Sequence, residues 1–229
     1  MTTRISAATL SVTLNFSATV VALYFRRSKS MAVKVRRALV STSDRTALAE
    51  FVIGLDNLGI QIISTGGTGA YIREAGIDVT DVADVTGFPE IMDGRIKTLH
   101  PRIHGGLLAV RDNPDHMATI AEHDIEPIDL VCVNLYPFEE TVARPDCSLE
   151  EAIEKIDIGG PAMLRSAAKN GESIYVVSSP TQYEETLRRL RKDDCVIDPR
   201  FGRQLAATVF RLTSGYDKAV SAYLAAHLD

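Results

Sequence analysis

Cysteine is scarce in this 229-residue chain. Its three cysteines, Cys132, Cys147 and Cys195, are odd in number and lie far apart. They make no C-x-x-C pair and no even-numbered framework, which excludes a disulfide scaffold and favours a reducing compartment. Acidic residues are absent from positions 1 to 37, where seven of the 25 basic residues sit. The rest of the chain then holds 18 basic residues against 30 acidic ones. That balance would repel a nucleic-acid backbone over most of the surface. Any anion bound has to be small and met by a local cluster. No internal repeat or low-complexity linker divides the sequence. At this length, with 45% hydrophobic residues, a core can form without metal or disulfide.

The first thirty residues read as an extension. The apolar run "AATLSVTLNFSATVVALYF" precedes its charges, "RRSKS", the reverse of a secretory signal. Asn15 and scattered hydroxyl residues make it a poor membrane span. Absence of acids suits an organellar transit peptide. The preferred reading makes Met31 the natural start, because "MAVKVRRALVS" runs straight into a first strand. Residues 1–30 are thus expected to be disordered, a targeting segment or an upstream misreading. A single domain is expected over 31–229, in the cytosol, with an organelle as the alternative.

From Arg37 strand and helix patterns alternate. Apolar runs at 37–41, 60–65, 77–83, 105–110, 128–136 and 173–179 read as strands, separated by stretches of helical period. The expected fold is a three-layer α/β domain with a mostly parallel sheet of about five strands. After Pro180 the pattern is all-helical, which predicts a helical cap over 181–229.

Ligands of such sheets collect beyond the carboxyl ends of the strands. "STSDR" follows the first strand, "STGGTG" the second and "VNLYPF" the run at 128–136. Hydroxyls and the backbone N–H groups of a Gly-rich turn opening a helix suit a phosphate. Each turn alone could equally be a helix cap or a tight turn; their pairing at neighbouring strand ends favours the anion. "GRIKTLHPRIHGG" poses a choice between a metal site and a cationic loop. His100 and His104 have the spacing of two ligands on one helical face. No Glu stands between them and no cysteine lies near, where zinc wants three or four ligands. Arg95 and Lys97 suit an anion or a developing oxyanion. No metal is expected. Asp157, Tyr136 and Lys169 read equally well as a helix cap, a packed aromatic and a lysine at a helix carboxyl end.

Together, "STSDR", "ISTGGT", "TGFPEIMDGRIKTLHPRIHGGLLA", "NLYPF" and "IDIGGPAMLRSAAKN", in this order, resemble the IMP cyclohydrolase domain of the bifunctional purine-biosynthesis enzymes. The likeness runs from about Arg37 to the end, and its fold group is methylglyoxal-synthase-like. It implies closure of 5-formamidoimidazole-4-carboxamide ribonucleotide to IMP with loss of water, without metal or organic cofactor. It implies Lys169 as proton donor and acceptor, Lys97 as oxyanion stabiliser, Asp157 on the reacting carboxamide and Tyr136 as a positioning or protonating group. Phosphate and ribose would rest on Ser41, Ser43, Asp44, Arg45, Thr65, Gly66, Gly67 and Thr68, with Arg95, Ile96 and Thr98 nearby. Val133, Asn134, Ile158 and Gly159 would line the base. A homodimer is implied, with no nucleic-acid or membrane partner.

Three departures stand out. Arg45 replaces a usual Lys, Thr65 a frequent Ser, and Gly171 follows "AAKN" where His is common. The folate-dependent transformylase half of the family is not represented. Two alternatives share the cradle: a methylglyoxal-synthase-like lyase and a non-catalytic nucleotide-binding regulatory module.

Overall fold

The computed structural model describes residues 32–136 and 138–228; the expectation for residues 1–30 lies outside them. Five strands form one parallel sheet: β1 Arg37–Ser41, β2 Gln61–Ser64, β3 Thr80–Asp81, β4 Leu130–Val133 and β5 Tyr175–Val177. Their order is β3-β2-β1-β4-β5. Arg37 pairs with Gln61 on one side of β1 and Ala38 with Leu130 on the other. Because helices cover both faces, the inner strands are apolar without alternation. All four residues of β4, "LVCV", are buried.

The helices are α1 Leu48–Asp56, α2 Gly66–Glu74, α3 Val82–Thr86, α4 Pro101–Leu108, α5 Pro114–Glu122 and α6 Phe138–Val142. They continue with α7 Leu149–Glu154, α8 Gly159–Lys169, α9 Tyr183–Lys192 and α10 Pro199–Ala225. One face of the sheet, through Ala38, Val40, Ile62, Leu130, Cys132 and Tyr175, packs on Phe51 and Leu55 of α1, Ile72 of α2 and Leu187 of α9. The other, through Leu39, Ile63, Val131 and Val176, packs on Ile103 and Leu107 of α4 and Met163 and Leu164 of α8. These are the three layers the strand–helix alternation predicted.

The C-terminal helices, expected as a cap, divide between the layers. α9 lies against α1, while α10 runs along α8 and the edge strand β5. Phe201 and Leu205 of α10 enter the first core and Ala206 and Val209 the second. A covered edge strand offers no free ladder to another chain. No helix among the described residues is long and apolar enough to cross a membrane.

Two expected strands differ. Residues 105–110 belong mostly to α4, because His100 caps its start through Nδ1, Pro101 fills the first turn, and Ile103 and Leu107 meet the core four residues apart. A short apolar run carries no period of its own, so it fits strand or helix equally. Gly105 and Gly106 let this helix press on Ile125, Glu126 and Ile128; a Cβ on Gly106 would stand 2.7 Å from the Glu126 carbonyl oxygen. The strand expected over 77–83 is only two residues long, since Val82 starts α3, which Gly87 ends at φ 66°.

Candidate functional site

Strand order reverses beside β1: the chain moves outward through β2 and β3, then returns to place β4 on β1's other side. The carboxyl ends of β1 and β4 therefore flank the switch point where open α/β sheets hold ligands. One side chain fastens the two loops there. Asn134 Oδ1 accepts from the Ser43 backbone N–H at 2.7 Å and the Asp44 N–H at 3.1 Å, and Asn134 Nδ2 donates to the Asp44 carbonyl at 3.0 Å. Ser43 Oγ reaches Asn134 Oδ1 at 2.9 Å and the Leu135 carbonyl at 3.2 Å. The Asp44 carboxylate accepts from the Thr46 N–H at 2.8 Å, and bonding to Thr46 lowers its pKa.

Next door, β2 runs into α2. Ser41 and Thr65 share a hydroxyl–hydroxyl bond of 3.0 Å, and Thr68 Oγ1 bonds both the N–H and the carbonyl of Thr42 at 3.1 Å. Thr65 and Thr68 are thus buried scaffolding under the turn. No side chain caps the start of α2, which leaves its first N–H groups, at Gly66, Gly67 and Thr68, for an anion. The Arg45 guanidinium lies over the Tyr71 ring and donates to the Gly67 carbonyl at 3.1 Å. A positive charge and a helix start converge there.

The cationic loop joins this cradle. Lys97 Nζ is 3.1 Å from Glu90 Oε1, and the other oxygen of Glu90 is 4.0 Å from where a Cβ on Gly66 would sit. Thr98 is buried with its Oγ1 3.0 Å from the Cβ position of Gly159, so the loop rests on the start of α8. There Asp157 Oδ1 accepts from the Gly160 N–H at 2.8 Å. Burial raises the Asp157 carboxyl, opposed by the Gly160 N–H, the Lys97 charge and the Gly159 N–H. The Asp157 backbone N–H donates to Tyr216 Oη of α10 at 2.7 Å. Leu135 closes the ring, 3.0 Å from the Cβ position of Gly160.

One neighbourhood thus gathers Ser41, Ser43, Asp44, Arg45, Thr65, Gly66, Gly67, Thr68, Lys97, Thr98, Asn134, Asp157 and Gly159. The remaining expected residues make other contacts. Arg95 pairs with Glu154 of α7 on the surface, and Ile96 is held in a bridge to Ile91. The Val133 side chain is buried in the core, whereas Ile158 is 61% and Tyr136 53% exposed. Lys155 lies over the Tyr136 ring.

Lys169 stands at the far end of α8. It ends the helix that Gly159 begins, and ten steps of helical rise separate them by about 15 Å. Its neighbour Asn170 donates to the Leu107 and Ala109 carbonyls at the far end of α4. Within one chain Lys169 and Asp157 thus lie at opposite ends of α8.

Both histidines of the loop are in use. His100 Nδ1 accepts from the Arg102 N–H at 3.1 Å, capping α4, and His104 Nδ1 bonds Ser166 Oγ at 3.0 Å. Burial lowers the His104 pKa, so a neutral ring is favoured. Among the described residues no three His, Cys, Asp or Glu side chains gather as a metal site. Sequence reasoning missed Glu90, seven residues before Lys97, and Tyr216, some sixty residues beyond Asp157. Glu90 lies inside a quoted motif and could have been found there; Tyr216 follows only from how α10 packs.

Comparison with known proteins agrees with this geometry. Residues 47–162 match the MGS-like domain family and residues 167–229 the AICARFT/IMPCHase bienzyme family. The bifunctional purine biosynthesis protein PurH of Magnetococcus marinus is 55% identical over 193 residues, 84% of this chain and 36% of that protein. PurH of Bacillus subtilis is 55% identical over 190 residues, 83% of this chain and 37% of that protein. The chain thus spans little more than a third of these curated relatives. The crystal structure of ForH superposes with a TM-score of 0.75 at 35% identity, covering 81% of this chain and 95% of that one. Sheet order, cradle and sequence likeness agree: the chain belongs to the MGS-like domain family.

Proposed function

We propose that this protein closes 5-formamidoimidazole-4-carboxamide ribonucleotide to IMP, the ring-closing chemistry of purine biosynthesis. The observation that carries it is Lys97 beside Asp157 at the rim of an anion cradle. The start of α2 and Arg45 would take the 5′-phosphate, and Ser43 with Asn134 would face the ribose and base. The reacting end would then reach Lys97 and Asp157.

The carboxamide nitrogen is a poor nucleophile, so holding it against the formyl carbon supplies much of the acceleration. As the new C–N bond forms, the nitrogen loses a proton and the formyl oxygen gains negative charge. The Asp157 carboxylate would take that proton, and Lys97 would stabilise and protonate the oxygen. Loss of the second nitrogen proton with the hydroxyl gives water and the aromatic ring. No step calls for a metal or an organic cofactor. Tyr136, exposed on the loop after β4, would close over the base.

Lys169 enters only from another copy of the chain. A homodimer in which the end of one α8 approaches the partner's cluster is part of this reading. A cytosolic site of action fits thiols that are not paired: Cys132 is buried and its pKa is pushed up to about 12, which makes it inert. The proposal covers ring closure alone, not the formyl transfer of the longer relatives.

The test is a cofactor-free assay of the formylated ribonucleotide, following IMP by absorbance in excess chelator, with Lys97→Ala alongside. Turnover by the wild type and its loss in the variant support the reading. Binding of IMP without turnover would instead identify a regulatory nucleotide module.

A further inference from the structure

Glu90 is in no set of assigned residues, yet it makes the contact that joins the two halves of the site. It stands at the open end of a short turn whose arms are bridged between Ile91 and Ile96 and whose tip is the single 3-10 turn Met92–Gly94. Glu90 and Lys97 emerge opposite one another just beyond that bridge, Oε1 to Nζ at 3.1 Å. Gly94 has φ +86°, and a Cβ there would collide with the Glu90 carboxylate. The positive φ favours glycine, whereas the exposed end of Glu90 could shift aside for a Cβ.

The second oxygen of Glu90 points the other way, 4.0 Å from the Cβ position of Gly66 at the start of α2. One carboxylate thus spans the cationic loop and the helix start that would take a phosphate. Two anions within a few ångströms repel each other, so a phosphate seated at Gly66 and Gly67 must drive Glu90 off. The Glu90–Lys97 pair can be broken cheaply: its side chains are 45% and 34% exposed, and such pairs are weak and screened. Three other charged groups belong to this part of the chain. Asp157 lies on the segment leading into α8, Arg45 is held at Gly67 and Arg95 is turned to Glu154.

We propose that Glu90 is a phosphate-responsive positioning residue. In the free protein it holds Lys97 as an internal counter-anion. An incoming phosphate displaces it, and Lys97 is released to the reacting end only once the nucleotide is seated. What Lys97 then does rests on the ring-closure reading; the displacement itself does not.

The experiment compares wild type, Glu90→Gln and Glu90→Asp by calorimetric titration with inorganic phosphate and with IMP at low ionic strength. The three proteins are then assayed with the formylated ribonucleoside, which lacks the phosphate, with and without added inorganic phosphate. Glu90→Gln is expected to bind both ligands about two- to fivefold more tightly, as the loss of a weak exposed pair implies. Wild-type turnover of the ribonucleoside should rise with inorganic phosphate. In Glu90→Gln it should start higher and not respond, and Glu90→Asp should restore the response. A merely structural glutamate would weaken binding in both variants. Binding in Glu90→Gln no tighter than in wild type overturns the proposal. If Glu90→Gln does not fold, Glu90→Ser takes its place and is read in the same way. Tighter phosphate binding by Glu90→Gln in a protein that makes no IMP would leave the displacement standing and remove only the ring-closure reading.

Discussion

Gly202 of α10 faces the carbonyl of Gly171 with no room for a Cβ between them, and a Cβ on Gly171 would itself lie 2.9 Å from Ala206 Cβ. The pair brings α10 against the turn after α8, just where α10 begins to cover β5. The close approach leaves little space for any side chain at Gly171, whose Cβ would also lie 3.1 Å from the Gly202 carbonyl oxygen. Gly202→Ala is expected to destabilise the fold by about 1–3 kcal/mol, the usual cost of overpacking. That corresponds to a few degrees of Tm per kcal/mol at this size. Gly171→His should cost at least as much alone. Thermal denaturation of both variants checks this, and an unchanged Tm would mean that α10 packs differently.

Lys97→Ala should cost about 10²–10³ in kcat, the usual effect of deleting one oxyanion-stabilising group. IMP affinity should change far less, because in the proposed reading the phosphate rests on α2 and Arg45 rather than on this lysine. Lys97→Arg keeps the charge but not the point-like geometry, and should recover only part of the rate. Single-turnover rates beside equilibrium binding separate the two effects. Equal losses in rate and affinity would place Lys97 on the phosphate instead.

Asp157 gives a pH signature. Burial raises its carboxyl in the folded protein, so folding favours the protonated form. Its contribution is therefore most favourable below the unfolded value of about 3.9, and is lost as pH rises through the raised folded value. Asp157→Asn keeps an oxygen for the Gly160 N–H and has no charge to bury. Relative to this variant the wild type should lose stability from about pH 4 upward, then hold a constant difference. The same substitution removes the proposed proton acceptor, so turnover should fall while stability gains. Urea denaturation across that pH range is the measurement, and a flat difference would show that Asp157 ionises as freely as in the unfolded chain.

The layers of the fold were legible because burial on both faces writes parallel strands as unbroken apolar runs, as at Leu130–Val133. The same feature hid α4: "GGLLAV" has too few residues to show a period, and its helix is specified upstream, by His100 and Pro101. The cradle was legible from hydroxyls and glycines at adjoining strand ends. Glu90 and Tyr216 were less so, because their roles arise from the closing of a turn and the path of a long helix. The separation of Lys169 from Asp157, in contrast, was available in the sequence. The helical pattern from Gly159 to Lys169, at 1.5 Å per residue, sets its two ends about 15 Å apart. Motif likeness brings together residues that stand at opposite ends of α8.

That separation yields a sharp expectation for the proposed dimer. If each ring-closing site takes Lys97 from one chain and Lys169 from the other, then Lys97→Ala and Lys169→Ala are each inactive as homodimers. Mixed and allowed to exchange in equal amounts, half the dimers become heterodimers. Each heterodimer has one site lacking both lysines and one site with both. The mixture should therefore recover about one quarter of wild-type activity, by the symmetry of a two-fold dimer. If Lys169 acted within its own chain, every site in the mixture would lack one lysine and no activity would return. A third outcome, Lys169→Ala fully active by itself, would assign Lys169 to the helix end alone, where a cation is favoured by the carboxyl-terminal dipole of α8. Activity after subunit exchange, measured beside the unmixed variants, separates all three.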